Sequence, residues 1–286
     1  MNFKELIEEK RSSRDYKKKD VSEKIIKELL EYGESSDKLV KGIDVDIIVK
    51  NKADVYERLI NIAGYEGKMI EAPHYIILTS DTKEDYIENS GYLGENLMLK
   101  LQDLDVDSCW ITFSDSDIIK ERIHLDTDKE VTALIAFGYG VSQKKMINLV
   151  KTGGNYSKAN MQEKKYISDR LATDEIVYLE KWGNKPDLEY LEQRMLAEPL
   201  SYATLAPSTL NRQPWRFIID KGMLILAVRD DKATNTYEER IDAGIQMLYF
   251  DLVMQQTLMK VNWIVDKPEK NYDVPAEYNL VAYCKL

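Results

Sequence analysis

Cysteine and histidine are scarce in this chain, with two of each among 286 residues. Cys109 follows a serine and Cys284 a tyrosine, both in apolar surroundings with no CxxC or Cys/His spacing nearby. A disulfide framework and a zinc site are thereby excluded, and two buried, reduced thiols are expected. His74 directly follows Pro73, and His124 lies within Arg122-Ile123-His124-Leu125-Asp126. Neither has a histidine or cysteine at ligand spacing, so both are expected to be structural and no metal is expected. No Ser/His/Asp, Cys/His or paired-carboxylate set is apparent, and no side chain stands out as a catalytic group. Basic excess is absent too: 40 Lys+Arg face 50 Asp+Glu, a net charge of −10, which argues against a nucleic-acid surface and for solubility. No uninterrupted apolar run could cross a bilayer, and the first residues, Met1-Asn2-Phe3-Lys4-Glu5-Leu6, have mixed charge and no apolar leader core. A cytoplasmic protein with no nucleic-acid or membrane partner is the expectation.

What the chain does have is an unusual stretch, Ala206-Pro207-Ser208-Thr209-Leu210-Asn211-Arg212-Gln213-Pro214-Trp215, running into Phe217-Ile218-Ile219. Pro207 and Pro214 fix φ and remove backbone donors, which makes a rigid loop delivering a strand. Asn211 and Gln213 carry amides that both donate and accept, suited to the edge of a heterocycle with alternating N–H and C=O groups. An ordinary proline-rich turn before a strand fits the same residues. A second concentration of chemistry is Lys10-Arg11-Ser12-Ser13-Arg14-Asp15-Tyr16, at the end of a first helix through Phe3, Leu6 and Ile7. Guanidinium forks and small hydroxyls bind phosphate oxygens; basic residues also complement the dipole at a helix C-terminus.

Between these stretches the pattern predicts a helix from an N-cap at Ser22, with Ile25, Ile26, Leu29 and Leu30 inward, and a strand over Val45–Val49. A helical stretch with Tyr56, Leu59, Ile60 and Ile62 follows, then a strand over Tyr75–Leu78. Gly91 opens a strong helix with Leu93, Leu97, Leu101 and Leu104 on one face, ending at Cys109-Trp110-Ile111-Thr112-Phe113. Val131–Phe137 reads as a buried strand, and its Gly138-Tyr139-Gly140 ending is not a dinucleotide fingerprint. A polar stretch with one charged helix, Met161 to Lys181, reads as a connector placed where it would cover a site. Beyond it a helix runs through Leu188, Leu191, Met195 and Leu196.

Pro207, Ser208, Asn211, Gln213, Pro214 and Trp215 together form an APSxxNxQPW segment that resembles the signature loop of the flavin-dependent nitroreductase family. KRSSRDY resembles the same family's N-terminal RxSxRxF/Y-type segment, which grips the flavin phosphate. The helix ending in Cys109-Trp110-Ile111 is similar to one whose following backbone approaches the flavin ring. The resemblance implies FMN as cofactor and NAD(P)H as electron donor. It implies as cofactor-binding residues Lys10, Arg11, Ser12 and Arg14, then Ile111, Thr112 and Phe113, then Lys144 and Lys145, and Pro207, Ser208, Asn211 and Gln213. Lys144 and Lys145 equally suit a charged surface segment.

The second half of the chain repeats the first. Gly91 to Trp110 and Gly244 to Trp263 are both nineteen positions apart, each pair spans a largely apolar helix, and each Trp is followed by Ile. Tyr75–Leu78 is echoed by Met223–Leu226, and Leu134–Phe137 by Leu280–Tyr283. Tyr32 to Asp37, where the family places its signature loop, lacks it. Only the first half keeps the phosphate-gripping segment, and only the second keeps the loop. Because nitroreductases resembling this chain are homodimers with shared flavin sites, these complementary losses suggest an internal pseudo-dimer with one composite FMN site per chain.

The expected fold is therefore α+β and nitroreductase-like, with mostly antiparallel sheets flanked by helices in two similar halves. The halves are residues 1–150 and 187–286, joined by a connector over 151–186. The expected activity is ping-pong electron transfer from NAD(P)H to an electron-poor small molecule, a nitroaromatic or quinone, by a monomer acting as its own pseudo-dimer. The chemistry resides on the flavin rather than on a catalytic side chain. A flavoenzyme of the same fold with different chemistry, or a flavin-binding sensor without turnover, are the alternatives.

Overall fold

Continuous apolar runs along the central strands, and two long helices buried on nearly every side, build the architecture. The computed structural model describes residues 1–141, 169–230, 233–257 and 259–286, with the backbone of 144–145 and 162–163. Helices α1 (Phe3–Glu9) and α2 (Glu23–Ser35) come first, then β1 (Val45–Asn51), α3 (Lys52–Leu59) and β2 (His74–Ser80). The long α4 (Tyr86–Asp103), β3 (Asp107–Ile111), α5 (Ser116–Arg122) and β4 (Glu130–Gly138) follow. After the short β5 (Lys144–Lys145), β6 (Gln162–Glu163), α6 (Thr173–Ile176) and β7 (Val177–Leu179) come α7 (Leu188–Gln193) and α8 (Ala197–Ala203). The chain ends with β8 (Trp215–Asp220), β9 (Met223–Arg229), the long α9 (Thr236–Gln256), β10 (Trp263–Ile264) and β11 (Tyr278–Lys285).

Among the described residues the strands form a four-stranded sheet, β1-β2-β4-β3, and a five-stranded one, β10-β11-β9-β8-β7. Apart from β7, which joins β8 in parallel, every pairing in both sheets is antiparallel. The two sheets repeat one another strand for strand: β8, β9, β11 and β10 stand in the order of β1, β2, β4 and β3. Even a bulge recurs. Thr132 is the extra residue of β4 opposite the Leu78–Thr79 step, and Val281 that of β11 opposite Leu226–Ala227.

This register corrects one expected correspondence. Trp110 pairs with Ile135 and Trp263 with Cys284, so Leu134 matches Tyr283, three positions beyond the Leu280 that apolar similarity had suggested. Short apolar runs match at several offsets, and only the ladder decides between them.

Both faces of the first sheet are covered, so β2 is buried throughout. Ile76 and Leu78 face Leu93, Leu97 and Leu101 of α4 and Leu29 of α2, whereas Tyr75 and Ile77 face Val55 and Leu59 of α3 and Ile119 of α5. Phe217, Ile219, Leu224 and Leu226 of the second sheet pack on α9. Each such fully buried side chain contributes about 2 kcal/mol.

Helices α4 and α9 pack against each other between the sheets and hold the halves together. They start earlier than the glycines suggested, at Tyr86 and Thr236. A Cβ on Gly91 would lie 2.4 Å from the Ile241 carbonyl oxygen, and one on Gly244 would lie 2.0 Å from that of Glu88. These glycines therefore mark the helix crossing, not helix starts. Around the crossing, Arg240 donates to both Glu88 oxygens at 2.6 and 2.7 Å, Tyr92 donates to Asp251 and Tyr249 to Glu95.

Two other expectations are corrected. Where a Met161–Lys181 helix is expected, the structure has β6 at Gln162–Glu163, irregular chain at 169–172, one turn of helix, α6, the edge strand β7 and a bend at 180–181; residues 161 and 164–168 lie outside the described residues. Val177 recurs at Leu179 with strand rather than helix spacing. The helix through Leu188 to Leu196 breaks at Met195, whose φ is 57° and whose side chain is exposed, and resumes as α8. Ser22 caps α2 as expected, and His74 accepts a hydrogen bond from the Val21 N–H at 3.1 Å, a structural role. Cys109 and Cys284 are both free and buried.

Candidate active site

The N-terminal cluster leaves α1 as extended chain stitched to the first sheet. Ser12 bridges Ser108 in parallel, the Ser13 N–H donates to the Ser108 carbonyl at 3.1 Å, and Ser13 Oγ donates to Asp107 at 3.0 Å. Asp107 also accepts from the Gly140 N–H at 2.9 Å, tying the segment to the end of β4. Successive side chains of extended chain alternate, so Ser12 and Arg14 point one way, into a cleft that both line. Arg14 makes no hydrogen bond or ion pair with another described residue. Lys10 and Arg11 do not line the cleft. The Arg11 guanidinium donates to the carbonyls of Glu8 and Lys10 at 2.9 and 2.5 Å, closing the end of α1, and the Lys10 ammonium lies 3.5 Å from the buried Glu95. Glu95 also accepts from Trp110 Nε1 at 2.8 Å.

Ile111, Thr112 and Phe113, at the end of β3, form a wall of the cleft as expected. Beside them lies a segment without a sequence signal, Gly64, Tyr65, Lys68 and Ile70, fixed by a 2.7 Å hydrogen bond from the Gly64 N–H to the Thr112 carbonyl. Gly64 has φ 91°, which L-residues avoid. Helix α9 adds Tyr237, Glu238, Ile241, Asp242 and Ile245. The Tyr237 ring lies 5.6 Å from that of Phe113, and its hydroxyl donates to the Thr132 carbonyl; burial pushes that hydroxyl's pKa up.

From the opposite half comes the proline-bracketed loop, whose Pro207, Ser208, Thr209 and Leu210 line the cleft. Asp242, itself 2% exposed, accepts the Thr209 N–H with both oxygens at 3.1 Å, and burial pushes its carboxyl well up. Ser208 Oγ accepts the Gln213 N–H at 2.9 Å, folding the loop back on itself. Leu210, Asn211 and Gln213 all have left-handed φ, 55°, 55° and 50°. For non-glycine residues this costs about 1 kcal/mol or more each, which surrounding contacts must offset.

The amides of Asn211 and Gln213 are not on the cleft wall in this structure; they meet residues 169–171. Asn211 Nδ2 donates to the Asp169 carbonyl at 3.0 Å, as does Gln213 Nε2 at 3.1 Å. Gln213 Oε1 accepts the Leu171 N–H at 2.8 Å, and Asn211 Oδ1 accepts from Arg170 at 3.0 Å. Lys144 and Lys145 pair in β5 with Glu163 and Gln162, and their side chains lie outside the described residues.

The resulting cleft encloses about 330 Å³ and draws on both halves of the chain. Its body is apolar, with Ile70, Phe113, Ile241 and Ile245 among its walls, and Arg14 and Lys68 give it positive charge. Lys68 is shared with Glu66 at 3.1 Å. Cys109 borders the cleft, but burial pushes its thiol up against the pull of Arg14 and Lys10, which keeps it protonated rather than nucleophilic. Among the described residues no group of His, Cys, Asp and Glu side chains could hold a metal, and no helix is long and apolar enough to cross a membrane.

A family model described as "Putative TM nitroreductase" matches residues 2–254. The chain belongs to that family. A solved "putative nitroreductase" from Thermotoga maritima is 19% identical, with a TM-score of 0.59 over 100% of this chain and 94% of its own. The nitroreductase-like fold expected from the sequence is thus the fold observed. An "FMN-dependent Nitroreductase" from Clostridium difficile R20291 is 22% identical over 53% of this chain and 98% of its own, with a TM-score of 0.41. A "nitroreductase family protein" from Clostridium novyi NT is 17% identical over 65% of this chain and 97% of its own, at 0.43. No curated protein matches this chain.

Proposed function

We propose that this protein is an FMN-dependent oxidoreductase that passes electrons from NAD(P)H to an electron-poor small molecule. The observation that carries the proposal is the convergence, in one cleft, of Ser12 and Arg14 from one half with Pro207 and Ser208 from the other. The cleft fits the group: its volume suits a small cofactor, its apolar body suits a flat ring system, and Arg14, without a partner among the described residues, offers its guanidinium to a phosphate.

Arg14 and Ser12 would hold the phosphate, and the chain at Ile111–Phe113 with Pro207 and Ser208 would border the ring. Phe113, Tyr237 and the isoleucines of α9 exclude water from that space. When bound there, FMN would supply the redox chemistry, accepting hydride from a nicotinamide and reducing a nitroaromatic or quinone in alternation.

We infer one site per chain from the asymmetry of the repeat, because only the first half carries the Ser12–Arg14 segment and only the second carries the Pro207–Ser208 loop. The chain then works as a monomer whose two halves, 1–150 and 187–286, stand in for two subunits. Anaerobic addition of NADH or NADPH to the FMN-loaded protein tests the activity. Loss of the flavin's visible absorbance, restored by a nitroaromatic or quinone, is expected; flavin that binds and stays oxidised would leave a binding protein without turnover.

A further inference from the structure

The two amides of the signature loop grip the protein's own chain. Asn211 and Gln213 make three hydrogen bonds to the backbone of residues 169–171, and the Arg170 guanidinium closes the set from the other side. One nitrogen of Arg170 donates both to the Ala206 carbonyl at 2.7 Å and to Asn211 Oδ1 at 3.0 Å. Ala206 and Asn211 bracket Pro207 to Leu210, the residues that enter the cleft. The loop needs such a clamp, because three of its non-glycine residues are held at left-handed φ that they would leave if released. Asp242 secures the loop at Thr209, and Ser208 takes the backbone N–H groups of Asn211 and Gln213 with its carbonyl and hydroxyl, whereas the two side-chain amides reach out of the loop to 169–171.

We propose that Arg170 is a positioning residue of the cleft, and that Asn211 and Gln213 act with it as a latch clamping residues 169–171 onto the loop that carries Pro207 and Ser208. The latch sets flavin affinity indirectly, by holding that loop in shape, and this part of the inference rests on the flavin-site reading. The latch itself does not, because it exists without any ligand.

The test compares R170M, N211A and the double variant, first as apo protein in urea unfolding and then by FMN titration. Each single change is expected to lower the apo midpoint, with the double variant no worse than the more affected single one, since the groups act on one bond set. FMN affinity is expected to fall about tenfold in both single variants, and R170K, which keeps a donor in place, is expected to restore most of it. Additive losses in the apo protein would overturn the latch. So would unchanged FMN affinity in R170M beside a loss in N211A, which would make Asn211 a direct ligand. Should R170M not fold, R170K carries the test: retained midpoint and affinity support the latch, and affinity lost with the midpoint intact overturns it. If the wild-type protein takes up no FMN, the flavin reading fails while the apo comparison still judges the latch.

Discussion

Gly91 and Gly244 stand in the same relation to each other from both sides. Gly91 lies against the carbonyl of Ile241, three residues before Gly244, and Gly244 lies against that of Glu88, three residues before Gly91. The reciprocity extends outward. Two residues before each glycine, Asn89 accepts the Val40 N–H at 3.1 Å, and Asp242 accepts that of Thr209. Contacts that match from both sides in this way have the form of a twofold interface.

Because backbone occupies the space at both glycines, G91A and G244A should each lower stability by about 3 kcal/mol or more. Urea unfolding measures this, and a change under 1 kcal/mol would mean that the helices part easily.

Arg14 and Arg11 should separate sharply, although the sequence presents them as equivalent. R14A is expected to weaken FMN binding by about 2 kcal/mol, some thirtyfold, while R11A should leave it within about twofold. Flavin fluorescence titration reads both, and equal losses would mean that Arg11 also reaches the phosphate.

Asn89 suggests how Asp242 can be replaced. D242N keeps an acceptor for the Thr209 N–H and relieves a carboxyl that burial disfavours, so its unfolding midpoint should equal or exceed that of the wild type. D242A should cost about 1–2 kcal/mol.

Asp85, at the start of α4, is pushed up from 3.8 to about 6 by burial and by Glu88 and Glu84. Folding thus favours its protonated form, and that contribution is complete below pH 3.8 and lost as pH rises through about 6. D85N should be more stable than wild type by about 1 kcal/mol at pH 7.5, allowing for solvent screening, and lose that advantage near pH 3.5. Paired urea midpoints at the two pH values decide it.

Local pattern made both long helices and the strands β1, β2, β4, β8, β9 and β11 legible, while β3, β7 and β10 read as parts of helices; the resemblance picked out Ser12, Arg14, Pro207 and Ser208, which line the cleft. Partners distant in sequence were not legible. Nothing in Asn211 or Gln213 reveals that their amides meet residues forty positions upstream. Lys10 and Arg11 share their positive charge with Arg14 and are set apart from it by lying at a helix end rather than on extended chain. The glycine spacing was visible with its purpose hidden, since a crossing glycine and a helix-starting one are the same letter. Gly64 to Ile70 reach the cleft through a backbone bond that leaves no mark on residue type.

The most direct measurement is the flavin-to-chain ratio at saturation, by FMN titration of the purified protein alongside R14A. One FMN per chain, with affinity sharply reduced in R14A, is the predicted result. Two per chain would contradict the single composite site, and no binding would contradict the flavin function itself.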